Sequence, residues 1–215
     1  MSSMVSTDRL LAFAAMSFLL IVIPGPSVLF VIGRALAQGR RAALTTVVGN
    51  TLGAYVLVVA VALGVGAVVE RSVLVFTVLK LVGAAYLVHL GVKAVRQRGS
   101  LHAAFTRTGP AHGGLRTLWE GFAVGVANPK TIVFFAAVLP QFVDQGQGHV
   151  AVQMLLLGLV FNVIAVASDS AWGLIAATTR SWFARSPQRL ALVGGAGGLA
   201  MIGLGVTVAA TGRKD

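Results

Sequence analysis

The sequence predicts an all-α, polytopic membrane protein of six transmembrane helices. Three observations predict it. First, 57% of the 215 residues are hydrophobic and only 11% are charged, against about 25% charged in a typical soluble domain. The mean hydropathy is +0.88. Second, no Asp, Glu, Lys or Arg lies between Arg9 and Arg34, Arg41 and Glu70, Asp144 and Asp169, or Arg189 and Arg213. Each run exceeds the roughly 20 residues a helix needs to cross hydrocarbon. Third, the basic residues alternate between sides, loop by loop.

The spans fall near residues 10–33, 43–69, 73–92, 118–142, 150–178 and 190–211. An apolar run at 10–23 followed by Ala35-Leu36-Ala37 imitates a cleavable signal. It lacks a basic start, and Pro24-Gly25-Pro26 intervenes, so it reads as span one. The third and fourth spans carry Lys80 and Lys130, and the fifth carries Asp169. Eleven of the 17 Lys and Arg residues fall in the loops after spans one, three and five. Only Arg9, Arg71, Arg213 and Lys214 fall on the other side. Cytoplasmic loops collect Lys and Arg, so both termini are expected to be periplasmic. The same bias accounts for the net charge of +11. No basic stripe is interleaved with aromatics, which argues against a nucleic-acid partner. Cysteine is absent, which excludes disulfides, thiolate metal sites and Cys nucleophiles.

A basic, Gly-containing loop at 93–117 divides the single transmembrane domain (1–215) into halves at about 8–92 and 118–211. The halves break alike. Span one carries Pro24-Gly25-Pro26 near its middle, and span four carries Asn128-Pro129. Span two begins with Gly49-Asn50 and span five carries Asn162 at mid-depth, while spans three and six carry Leu81-Val82-Gly83 and Leu192-Val193-Gly194. With three spans per half, the second half enters from the opposite side, as an inverted repeat. Proline lacks an N–H and clashes with the preceding turn, so it opens the helix ladder. The freed backbone groups cannot face lipid and must face protein or a wet cavity. Helices one and four are therefore expected to be broken, with half-helix N-termini pointing partial positive charge at mid-membrane.

Pro24-Gly25-Pro26, Gly83-Ala84-Ala85-Tyr86-Leu87, Asn128-Pro129-Lys130 and Leu139-Pro140-Gln141-Phe142, in this order, resemble the lysine exporter (LysE) superfamily. The RhtB-like branch, with homoserine, homoserine-lactone and threonine efflux proteins, is the most similar. The resemblance covers essentially the whole chain. It implies a bacterial inner-membrane exporter of amino acids or close derivatives, driven by the proton gradient.

Pro24, Gly25, Pro26, Asn128, Pro129 and Lys130 are the expected substrate pathway. Lys130 lies about 18 Å into its span at about 1.5 Å per residue, and an ionisable residue at such depth is a functional candidate by default. Its expected role is to attract a substrate carboxylate. Asp169 is the one acidic residue inside a span away from an end. It suits a proton, a substrate amine or a pairing with Lys130. Asn50, Asn162 and Lys80 are secondary candidates, with Lys80 long enough to snorkel to the interface. Gly49-x-x-x-Gly53 and the stretch from Gly194 to Gly205 form small-residue faces. They suit either packing between the halves or a homodimer. An enzyme would need a cluster of His, Asp, Glu or Cys at one depth, and no metal or cofactor site is expected. ATP coupling is argued against by the lack of a phosphate-cradling Gly-rich loop ending in Lys-Ser/Thr. The alternative function is a channel or exporter for an inorganic cation or other small solute, which the lone Asp169 beside Lys130 disfavours.

Overall fold

A computed structural model describes residues 5–69, 73–96, 113–179 and 186–210. Much of the 93–117 loop lies outside these residues, as do Arg71, Arg180, Arg185 and both termini. All regular secondary structure among the described residues is helical. In chain order the helices are α1 (Thr7–Val22), α2 (Pro26–Gln38), α3 (Arg40–Val69), α4 (Val73–Arg96), α5 (Gly114–Val126), α6 (Pro129–Ala137), α7 (Val150–Thr178) and α8 (Pro187–Ala210). Short 3-10 segments, Leu139–Phe142 and Gln145–Gln147, link α6 to α7.

Proline decides where the broken helices break. A residue before proline is pushed out of the α region by its Cδ. Ile23 ends α1 at φ −73°, ψ 118°, Gly25 sits at φ −100°, ψ −169°, and Asn128 at φ −71°, ψ 107°. All three are extended, and all three precede a proline. Pro26 and Pro129 then open α2 and α6, where a missing N–H costs nothing. The axis bends by 49° between α1 and α2, and by 46° between α5 and the segment from Pro129 to Phe142.

Among the described residues, α3 over Arg40–Gly64 and α7 are each long and apolar enough to cross a membrane. The two bent pairs also qualify if each counts as one span. Leu63 is 73% exposed, Val163 63% and Leu192 72%, as expected of faces turned to lipid. Asn50 lies ten residues into α3, so it stands at depth rather than at the start of its span.

Helix association in lipid depends on close backbone approach rather than on the hydrophobic effect. The first small-residue face supplies that approach. Gly49 and Gly53 of α3 interleave with Gly121 and Gly125 of α5. A Cβ at Gly49 would stand 2.1 Å from the Leu118 carbonyl oxygen, and one at Gly125 would stand 2.1 Å from that of Asn50. No side chain fits there. The second face does the same for α8, whose Gly198 and Gly205 abut the backbone of α4 at Gly91 and Ala84. Both faces thus join the two halves of one chain. Helix α7 lies against α1, α2 and α3. Phe13, Phe134, Phe135 and Phe161 fill one core cluster, with Phe135 and Phe161 edge to face at 4.7 Å. A second cluster gathers Val28, Val31, Ile32, Ala35, Ala43 and Val47.

Candidate functional site

A cavity of about 30 Å³ lies where the two breaks meet α3 and α7. Its wall includes Gly25, Asn50, Asn128, Lys130 and Asp169, five residues from four separate segments of the chain. One or two water molecules fit in this space. The helices must therefore part before anything larger enters.

The ends of the broken helices are accounted for group by group. A helix leaves its last four carbonyls without intrahelical partners. At the end of α1, Lys130 Nζ donates to the carbonyl oxygens of Leu20 at 2.5 Å and Ile23 at 2.7 Å. Trp172 Nε1 donates to that of Val22 at 3.1 Å. Across the gap, Asn128 Oδ1 caps α6 by accepting from the Lys130 N–H at 3.1 Å, while its Nδ2 donates to Ser27 Oγ. That last bond ties the start of α2 to the start of α6. Gly25, the N-cap of α2, offers no side-chain cap. The N–H groups of Ser27 and Val28 have no intrahelical acceptor, and both residues line the cavity.

Gly25 is dictated by this packing. A Cβ on it would come within 2.9 Å of Lys130 Cδ and 3.3 Å of Nζ. The lysine is pinned at its tip by two carbonyls and cannot swing aside without losing them. Gly25→Ala is therefore expected to leave the protein in the membrane while reducing transport about tenfold, the scale of one displaced charged hydrogen bond. Transport rates normalised to the amount of protein in the membrane check this.

Lys130 is 5% exposed and Asp169 is 3% exposed. Both charges face the same cavity, yet no direct ion pair within 4 Å joins them among the described residues. Asp169 Oδ2 instead accepts from Asn50 Nδ2 at 3.1 Å. One buried cation and one buried carboxylate, each held by its own neighbours, form two poles of one small space.

Of the expected site residues, the structure brings together Gly25, Asn128, Lys130, Asp169 and Asn50. Pro24, Pro26 and Pro129 shape the breaks without lining the cavity. Asn162 is elsewhere: it is buried and lines a second pocket between α3 and α7 with Thr51, Tyr55 and Leu159. Lys80 falls in α4, and its side chain lies outside the described residues. Sequence reasoning missed Ser27, Thr51, Thr131, Phe161 and Ala165 in the wall. It also missed the far partner of Glu120. That carboxylate accepts from Arg116 at 3.0 Å, as i, i+4 spacing suggests, and also from Arg34 of α2 at 2.5 Å. At the opposite end of the same broken helices, Arg9 approaches Asp144 at 3.6 Å.

Residues 18–212 match the model of a family described as LysE type translocator. The homoserine/homoserine lactone efflux protein of Salmonella typhimurium is 31% identical over 191 residues, 89% of this chain and 91% of the relative. An uncharacterized membrane protein of Vibrio cholerae is 36% identical over 149 residues, 69% and 71% of the two chains. The leucine efflux protein of an Enterobacter species is 26% identical over 153 residues, 69% and 70% of the two. No solved structure matches. With a family match over nearly its whole length, the chain belongs to the LysE type translocators, and it is a membrane transporter, not an enzyme.

Proposed function

We propose that this chain exports amino acids or close derivatives, such as homoserine, homoserine lactone or threonine, from the bacterial cytoplasm across the inner membrane, at the expense of the proton gradient. One observation carries the reading. The cavity between the two breaks holds a buried ammonium and a buried carboxylate that do not neutralise each other directly. An ammonium with an acceptor-bearing carboxyl-derived group, as in a zwitterionic amino acid or its lactone, complements that pattern. The carboxyl-derived group suits the remaining N–H of Lys130 and the N-terminus of α2, and the ammonium suits Asp169. A cation channel would gain nothing from Lys130.

In this reading the chain makes six spans arranged as two inverted three-helix repeats, with the cavity where broken spans one and four meet. The near-equal bends of 49° and 46° in spans one and four support this arrangement. The Arg34–Glu120–Arg116 cluster closes one end of the broken pair and Arg9–Asp144 the other. Alternating access would open one of these while the other stays shut. Two of the wall residues, Gly25 and Asn128, are the N-caps at the helix breaks, where a small φ/ψ change reorients a half-helix.

Growth tests the export reading. Cells expressing the chain should tolerate inhibitory concentrations of a member of a panel of amino acids and lactones that stop growth of control cells. Equal sensitivity across the whole panel would count against export. Orientation has its own test. Reporter fusions at Arg98 and Asp215 are expected to report cytoplasm and periplasm respectively, from the basic-loop bias. A cytoplasmic C-terminus would contradict the six-span arrangement.

A further inference from the structure

We infer that Asn50 and Asp169 together form a pole that reads a free primary ammonium group, making that group, rather than the carboxylate, the obligatory feature of the substrate. The inference rests on the export reading above and adds which end of the substrate is recognised.

Asn50 is 6% exposed and lines the cavity. Its Nδ2 donates to Asp169, and its Oδ1 is buried without any hydrogen-bond partner. Turning the amide over does not relieve this. With Asp169 ionised, the oxygen would then face a carboxylate, and two acceptors would meet. Asp169 thus fixes which way the amide points and leaves the oxygen for something else. A buried acceptor left unmade is costly and uncommon in a native fold. Ser17 Oγ and Asn162 Oδ1 are also buried without partners, but of the three residues Asn50 alone lines this cavity, where a donor can arrive with the ligand.

The neighbouring groups point to the same chemistry. Asp169 supplies negative charge beside the orphan oxygen, which favours a charged donor over a neutral one. The Thr51 hydroxyl, also in the wall, spends its proton on the Val47 carbonyl oxygen at 2.9 Å. Only its lone pairs remain for a ligand. Asp169, Asn50 Oδ1 and Thr51 Oγ1 are therefore three acceptors, and a primary ammonium carries three N–H donors. The opposite pole is different in kind. Lys130 already gives two N–H groups to Leu20 and Ile23 and keeps one for the ligand. Asn50 Oδ1 has no donor and Asp169 has one, Asn50 Nδ2, so the acceptors keep capacity for an ammonium, while donors for the carboxylate are mostly taken.

Acylating the substrate nitrogen removes its charge and leaves one N–H for three acceptors. A site built around buried hydrogen-bonding groups rejects a ligand that leaves them unpaired by orders of magnitude. Converting the carboxylate to an amide or lactone leaves the ammonium pole satisfied and should be tolerated better.

Matched sets of homoserine, threonine and leucine, each as free amino acid, N-acetyl derivative and carboxamide, test this with the purified full-length chain in proteoliposomes. The free amino acid that is transported should be out-competed by its carboxamide within about tenfold of its own concentration. Its N-acetyl form should need at least about 100-fold more. Asn50→Leu should raise KM for the free amine about tenfold or more while changing the maximal rate less than about threefold. Thermal unfolding of the detergent-solubilised protein with the same compounds gives a second readout that needs no transport. Stabilisation by free amine and carboxamide, but not by N-acetyl forms, supports the ammonium pole even where nothing is transported; that combination would overturn the export reading alone. Competition or stabilisation by N-acetyl forms equal to that of their parents would overturn the ammonium pole and leave export standing. An unchanged KM in a well-inserted Asn50→Leu would likewise remove Asn50 from it. Neither transport nor stabilisation by any compound would overturn both.

Discussion

Replacing Lys130 by methionine is expected to reduce export at least about 100-fold while the protein still reaches the membrane. Methionine keeps an unbranched side chain of similar length, so the packing against Gly25 changes little. What disappears is the ammonium. Its two acceptors, the Leu20 and Ile23 carbonyl oxygens, close the broken end of α1. Each buried carbonyl left unmade costs about 1–3 kcal/mol, and the cavity loses its positive pole. Trp172 still holds Val22, and the Gly49–Gly125 seam still joins the halves, so insertion should persist. Radiolabelled efflux from loaded cells, normalised to membrane protein, measures the effect. Wild-type efflux from a well-inserted Lys130→Met would remove this residue from the transport path.

Asp169→Asn is expected to separate exchange from accumulation. Asparagine preserves the shape and can still accept from Asn50 Nδ2, so the cavity remains intact. It cannot bind and release a proton. No other acidic residue among the described positions lines the cavity. Exchange between equal pools should continue at saturating substrate, with a raised KM because the ammonium pole loses its charge, whereas the accumulation ratio driven by a pH gradient should fall to about one. Both quantities come from the same proteoliposomes. Concentration of substrate by Asp169→Asn in response to the gradient would show that the proton travels elsewhere.

Local features of this molecule were legible from local sequence. Pro24-Gly25-Pro26 and Asn128-Pro129 dictate breaks through the steric demand of proline on the residue before it, and the three extended residues at 23, 25 and 128 stand where that rule puts them. The Arg116–Glu120 pair follows from helical spacing alone. Contacts across the fold were not legible. Lys130 reaches Leu20 over 110 residues, Asn50 reaches Asp169 over 119, and Ser27 meets Asn128 over 101. No spacing rule links residues so far apart. The glycine faces announced close packing but not its partner, and the interleaving of Gly49 and Gly53 with Gly121 and Gly125 supplies it. Asn162 shows the remaining difficulty. Its depth in α7 can be counted from the chain, but a helix that is apolar all round has no sequence-encoded inner face. Asn162, itself buried, lines a second pocket with Tyr55 and Leu159, while Asp169, seven residues on, lines the cavity.

The central claim is that substrate crosses through the cavity between the broken helices in exchange for protons. Uptake into everted membrane vesicles tests it most directly. With the lumen made acid, labelled homoserine, threonine or leucine should accumulate inside vesicles containing this chain, saturate with concentration, and leak back when the pH gradient is dissipated. Vesicles carrying Lys130→Met should match vesicles without the protein. Accumulation that ignores the gradient, or transport of the whole panel no faster than in protein-free vesicles, would contradict the account.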